Sequence, residues 1–211
     1  MPLIAKAKTG GNFELIPEDQ HIARCVLVAD IGTQDGPYGA KHQCIIGWEF
    51  PEVLHVFDEE KGEEPAMLSA FYTVSLSDKA NLREMLESWR GRSFTPDELN
   101  GFDLANLLAV PCLVQVVHHQ NNNGDTRAKV QGVTKLHKSM ACPEQVVPSR
   151  LFSLNESGQE EFQAMPPWIQ DKVREAAEYQ EWVKRTARGE PQETVTVGAE
   201  QGAFSEDEVP F

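Results

Sequence analysis

From Ile22 to Ile31 the chain alternates Ala23, Cys25, Leu27, Ala29 and Ile31 with Arg24, Val26, Val28 and Asp30. Side chains two apart share one face of a strand, so one face here is wholly apolar and the pattern predicts a central strand. Asp35-Gly36-Pro37 supplies turn chemistry. Beyond it, His42, Cys44, Ile46, Trp48 and Phe50 alternate with Lys41, Gln43, Ile45, Gly47 and Glu49, which predicts a long hairpin with the first strand. Pro51 and the acidic stretch from Asp58 to Glu64 interrupt the alternation. A third strand is expected over 67–76, with Tyr72, Val74 and Leu76 opposite Phe71, Thr73 and Ser75.

The period then changes from two to that of a helix. Asp78 is a candidate cap for a segment whose Leu82, Met85, Leu86 and Trp89 form one stripe, and Gly91 is placed to end it. Thr95-Pro96-Asp97-Glu98 has the composition of a capping box with Pro at the first helical position, and Asp103 to Leu108 completes a helical insert. Two more strands are expected at 112–120 and 126–136, joined by the turn Asn121-Asn122-Asn123-Gly124-Asp125. In the last strand Arg127, Lys129, Gln131 and Lys135 lie opposite Ala128, Val130, Gly132 and Leu136. Strand, strand, strand, helix, strand, strand is the element order of an OB-fold, a five-stranded barrel. The expected fold is therefore mainly β with helical additions. Pro143 and Pro148 mark an irregular connector, and Pro166-Pro167-Trp168 opens a helix to about Arg188 with Ile169, Val173, Ala176 and Val183 on its stripe. The expected organisation is an arm (1–19), an OB-fold domain (20–140), a connector with a C-terminal helix (141–188) and a flexible acidic tail (189–211).

Charge qualifies this picture. The chain has 19 Lys+Arg against 33 Asp+Glu, a net charge of −14, which at first sight opposes binding along a phosphate backbone. Residues 1–150 hold 14 basic and 20 acidic residues (−6), and residues 151–211 hold 5 and 13 (−8). The acidic surplus sits in the tail region and the 58–64 loop, which leaves room for a basic groove in the barrel. Cys25, Cys44, Cys112 and Cys142 are far apart and lack any CxxC or CxxH pairing; they read as buried reduced thiols rather than metal ligands. No apolar run approaches the ~20 residues of a membrane span, and the N-terminus lacks a signal-peptide stretch, so a cytoplasmic protein is expected, in a host cytoplasm if phage-encoded.

The last residues, Ser205-Glu206-Asp207-Glu208-Val209-Pro210-Phe211, end an acidic run on a small apolar group and a free carboxylate. An aromatic ring, a φ-fixing proline and negative charge suit a partner pocket rimmed by Lys or Arg. This tip resembles that of bacterial and phage single-stranded DNA-binding proteins: Asp207, Pro210 and Phe211 match, with Glu206, Glu208 and Val209 as conservative departures. The resemblance implies recruitment of replication and repair proteins. A second, scattered pattern spans about residues 20–182. It comprises Gly101-Phe102-Asp103-Leu104-Ala105-Asn106-Leu107-Leu108, Pro111-Cys112, Val116-Val117-His118, Gly124, Ala128-Lys129-Val130, Leu136-His137-Lys138-Ser139-Met140, Pro167-Trp168-Ile169-Gln170-Asp171-Lys172-Val173 and Glu178-Tyr179. It resembles a family of phage single-stranded DNA-binding proteins with an OB-fold. The implied function is sequence-independent single-stranded DNA binding in phage replication or recombination. The alternative is a decoy that borrows the tail to occupy a host partner without binding DNA.

Single strands are held by Lys and Arg on phosphates and by aromatic faces under bases. The candidate DNA-binding residues are Lys41 and Gln43 in the second strand, Phe71 opposite its strand's apolar stripe, Tyr38 in the first loop, and Arg127, Lys129 and Lys135 in the last strand. Each competes with an ordinary solvated sheet face. His118 and His119 are adjacent in a strand, point to opposite faces and read as structural. No nucleophile elbow, phosphate-binding Gly loop or paired-acid motif is present, so no catalysis, metal or cofactor is expected. A homo-oligomer is left open.

Overall fold

The computed structural model describes residues 14–58, 62–121 and 123–188. Strands β1 (Gln20–Gln34), β2 (Lys41–Asp58), β3 (Gly62–Thr73), β4 (Pro111–Gln120) and β5 (Thr126–Lys135) form one sheet in the order β3-β2-β1-β4-β5, with every neighbouring pair antiparallel. A three-residue β6 (Arg150–Phe152) pairs with β1 in parallel. No ladder joins β3 to β5 among the described residues, so the sheet is not closed. The expected mainly β architecture with helical additions is present, and β1 is central as its apolar content required.

That apolar content is divided between two cores. Cys25 pairs with Trp48 and Leu27 with Gly47, so Val26 is an extra residue, a β-bulge. The bulge reverses the alternation. Ala23, Cys25 and Val28 enter one core with Cys44, Ile46, Trp48 and Phe50, whereas Leu27, Ala29 and Ile31 enter a second with Ile45. Regular alternation would have put Ala23 through Ile31 on a single face. Gly47 makes the exchange possible, because a Cβ there would lie 3.0 Å from Leu27 Cβ.

The first core is closed by α1 (Asn81–Arg90), whose Leu82, Met85, Leu86 and Trp89 are buried as the stripe predicts. Gly91 ends the helix at φ 69°. Asp78 does not cap it: the cap is Ala80 without a side-chain bond, and Asp78 instead accepts from Arg83 Nη1. The Thr95–Glu98 capping box forms at α2 (Pro96–Leu99), and Leu104–Leu107 is a 3₁₀ turn capped by Asp103. Glu98 also binds Arg90, which is buried over the Phe94 ring, and Arg92. Burial works against its charge, but donors from Arg92, the Thr95 N–H and Arg90 prevail and hold the carboxyl down at about 2.

Three further expectations change. β2 does not stop at Pro51: residues 51–53 bulge between the Phe50–Ala66 and Leu54–Pro65 pairs, where a missing N–H is tolerated, and the hairpin continues to Asp58. The third strand accordingly begins at Gly62 and ends at Thr73. The arm is anchored at its end, since Ile16 is buried in the first core and the Glu18 carboxylate accepts from the His118 N–H. Finally, the single C-terminal helix is three: α3 (Gln159–Ala164), α4 (Pro167–Arg174) and α5 (Tyr179–Arg188). They cover the second core with Phe162, Met165, Ile169, Val173 and Trp182. The chain breaks at 175–178 because the Ala177 N–H donates to Thr33 O and Glu178 turns onto β1.

Two substitutions test these layers and a third is their control. Gly32 holds φ at 67°, and a Cβ there would lie 2.6 Å from Ala176 Cβ. Gly32→Ala is expected to cost about 2–4 kcal/mol in urea unfolding, from left-handed strain plus overpacking. Glu98→Ala leaves Arg90 buried without its carboxylate and is expected to cost about 3 kcal/mol. Asp125→Ala, at an exposed pair with Arg127 at 3.7 Å, leaves the midpoint unchanged.

Candidate nucleic-acid interface

Odd-numbered residues of β2 from Lys41 to Ile45 share the face that carries Ile45 into the second core, and Phe71 lies directly across from Ile45 on β3. The helical layer stops short of Phe71, which stays 51% exposed. Lys41, Gln43 and Phe71 line one depression of about 380 Å³ together with Thr73, Ser75 and Lys79. A second, of about 400 Å³, continues from Gln43 and Phe71 to Gln34, Asp35, Lys172 and Glu175. A third, of about 820 Å³, occupies the gap between the edges of β3 and β5; its walls are Ser69 to Tyr72 and Ala128 to Val133, with α1 and His119 between. Phe71 borders all three. Three other sequence candidates, Lys41, Gln43 and Lys129, thus line depressions that the exposed Phe71 ring borders.

The others stand apart. Tyr38 is 88% exposed in the β1–β2 loop, outside these depressions. Arg127 pairs with Asp125 at the β4–β5 tip. Lys135 turns to the other side of β5. Cys112 to Gln115 of β4 pair with Lys135 to Gly132, and Val116 pairs with Val130, so Gln131 is extra. The bulge puts Val133 in the core where simple alternation puts Gly132, and the Lys135 stem lies near Gly91 at the end of α1. The tip residues Glu206, Asp207, Glu208, Val209, Pro210 and Phe211 lie outside the described residues.

Sequence periodicity passed over four neighbours of Phe71: Lys79, His119, Lys172 and Trp168. Trp168 is the plainest. It precedes the buried Ile169 by one position, so it falls off the helix stripe, and that offset was the available signal. Its ring centroid is 6.2 Å from that of Phe71. Lys41, Lys79 and Lys129 form no ion pair among the described residues, whereas Lys172 is paired with Glu175 at 2.7 Å. The face therefore carries three cations outside any ion pair, beside two carboxylates, Asp35 and Glu84, that are likewise unpaired among the described residues.

A clasp fixes the helical layer beside this face. Asp30 accepts from His42 Nε2 and from the Gly32 N–H, both at 2.8 Å, and from the Leu154 N–H at 3.3 Å. The Glu178 carboxylate accepts from the Thr33 N–H and hydroxyl and lies 3.9 Å from His42 Nδ1. The Asp30 hydrogen bond raises the His42 pKa above its ordinary 6.5 against a desolvation cost, and both carboxylates add attraction. For Glu178, desolvation opposes ionisation but the Thr33 donors prevail and lower its pKa from 4.5.

Cys25, Cys44 and Cys112 are buried and Cys142 is half-buried; all four are free thiols. Burial pushes Cys25 and Cys44 up to about 12, which makes them poor nucleophiles at neutral pH. No group of three or more metal-ligating side chains occurs among the described residues, and no described helix is long and apolar enough to cross a membrane.

The clasp has a pH signature. The His42 contribution is full below 6.5 and fades as pH rises through its raised folded value; that of Glu178 is full above 4.5 and fades as pH falls through its lowered one. Stability from the clasp therefore peaks between about pH 4.5 and 6.5. In urea unfolding the wild type is expected to lose more stability than His42→Gln between pH 5.5 and pH 8, with the order unchanged by salt. Equal losses would remove His42 from the clasp.

Comparison with protein families, curated proteins and solved structures finds no match to this chain.

Proposed function

We propose that this chain binds single-stranded DNA without regard to sequence, in phage replication or recombination, and that its acidic tip recruits replication and repair proteins. The observation that carries the reading is the half-exposed Phe71 ring set among Lys41, Gln43 and Lys129, with Trp168 beside it. Aromatic faces take bases and flexible cations take phosphates, a combination that needs no base-edge code and so gives no sequence preference. Duplex DNA offers no free base faces to such a site.

The fold supports the same reading. The order β3-β2-β1-β4-β5, with α1 inserted between β3 and β4, is compatible with an OB-fold whose third and fifth strands stay unpaired with each other. The OB-fold is accordingly our proposal for the domain, with 20–140 as its core and 141–188 as a layer added outside. The net charge of −14 favours a second reading, the decoy, in which the tip alone acts.

Fluorescence anisotropy of a labelled oligo-thymidine and an equal-length duplex, with full-length protein and a form ending at Ala203, separates the two. The first reading expects tight binding of the single strand only, retained without the tip, with a log-log salt slope of about −0.7 per phosphate contact. Replacing both Lys41 and Lys129 by Ala is expected to weaken binding at least tenfold and flatten the slope by about 1.4, two contacts' worth. Absence of binding by either form would contradict it and select the decoy.

A further inference from the structure

Trp168 differs from the other three tryptophans of the chain. Trp48, Trp89 and Trp182 are 0%, 1% and 3% exposed, whereas Trp168 is 44% exposed in the first turn of α4. The helix docks through Ile169 and Val173 without it. Its ring neighbour is Phe71, which is itself 51% exposed. Two large rings from different layers thus meet at the surface, each with about half its area in water, where burial would normally draw such groups inward.

The geometry between them is open. The ring planes meet at 57° with centroids 6.2 Å apart, which makes a wedge rather than a stack. A planar ring held between two parallel rings needs about 7 Å, twice the ~3.5 Å contact distance of carbon atoms. Rotation of the Trp168 side chain and a widening of about 1 Å would meet that requirement. The backbone of α4 need not move, which matters because the Gly32 contact and the Glu178 clasp tie the following turn to β1. Lys41 and Gln43 on β2 flank the wedge, as do Asp35 and, one helical turn beyond Trp168, Lys172 in its pair with Glu175.

We propose that Phe71 and Trp168 close on one unstacked base as the two walls of an aromatic clamp, with Lys41 meeting a flanking phosphate. This rests on the reading that the chain binds single strands, and it assigns the added helical layer a direct part in binding. A base inside a duplex is already stacked on both faces and cannot enter. The same holds for a backbone without bases, which has nothing to insert.

The test is the intrinsic fluorescence of the full-length protein, because the exposed Trp168 is the tryptophan a ligand can reach. Titration with an oligo-thymidine is expected to quench emission in step with binding, while an abasic oligomer of equal length and a duplex give no quenching. Trp168→Phe keeps affinity within about twofold and abolishes the signal. Trp168→Ala weakens oligo-thymidine binding about fivefold or more, the range of one lost stack, and leaves the salt slope unchanged. Binding with unaltered emission, or Trp168→Ala binding like the wild type, would show that the two rings only pin α4 to the sheet and would overturn the clamp. If Lys41→Ala with Lys129→Ala still loses binding in that case, the single-strand reading survives alone; a wild-type chain that binds no oligonucleotide overturns both.

Discussion

Everything in this molecule depends on β1 having two buried faces. A strand that is apolar on one face needs one layer of cover, but β1 is buried almost throughout from Cys25 to Gly32. The bulge at Val26 is the device that divides those side chains, sending Cys25 and Val28 down to α1 and Leu27, Ala29 and Ile31 up to the C-terminal helices. Its free edge is likewise shared: β4 pairs with residues 20–24 and β6 with residues 27–29. Removing the upper layer would expose Leu27, Ala29, Ile31 and Ile45 together, an apolar patch that a monomeric surface rarely carries. The helices at 159–188 therefore close the second hydrophobic core over the sheet.

The position of the candidate site follows from that arrangement. The upper layer covers β1 and the start of β2 but ends before β3, so the border between covered and open sheet runs past Phe71. Residues at such a border are held by packing on one side and open to solvent on the other. Trp168 comes from the covering layer and Phe71 from the sheet, and their rings meet across the border. Gly32, Thr33, Asp30, His42 and Glu178 set the register between the layers at the same border. Charge works in the same local way: on a chain at −14, Lys41, Lys79 and Lys129 form no ion pair among the described residues, although Asp35 and Glu84 line the same depressions, while Glu98 is engaged by Arg90 and Arg92.

Much of the sheet was legible in the sequence, since alternation in β2 and the helical stripe of α1 each place their side chains in one core. What alternation cannot show is a bulge. Val26 and Gln131 each add one residue, and every assignment downstream of them changes face, which is why Leu27 and Lys135 lie where simple counting does not put them. β6 has only three residues, too few for any period to register. The break at 175–178 was hidden because Ala176 and Val183 continue an apolar stripe across it; the cause is a long-range contact from Glu178 to Thr33, which no local pattern contains. Phe71 was identifiable as an aromatic on the polar side of its strand. Its partner Trp168 sits 97 positions later in the numbering, and only the layer packing brings the two together.

The central claim is that sheet and helical layer form one binding face across their border. Hydrogen–deuterium exchange with and without oligo-thymidine measures this over the whole backbone at once. The account predicts ligand-induced protection in three segments, 41–43 and 69–73 in the sheet and 167–172 in α4. Protection confined to the β4–β5 tip, or to the sheet with α4 unchanged, would contradict it.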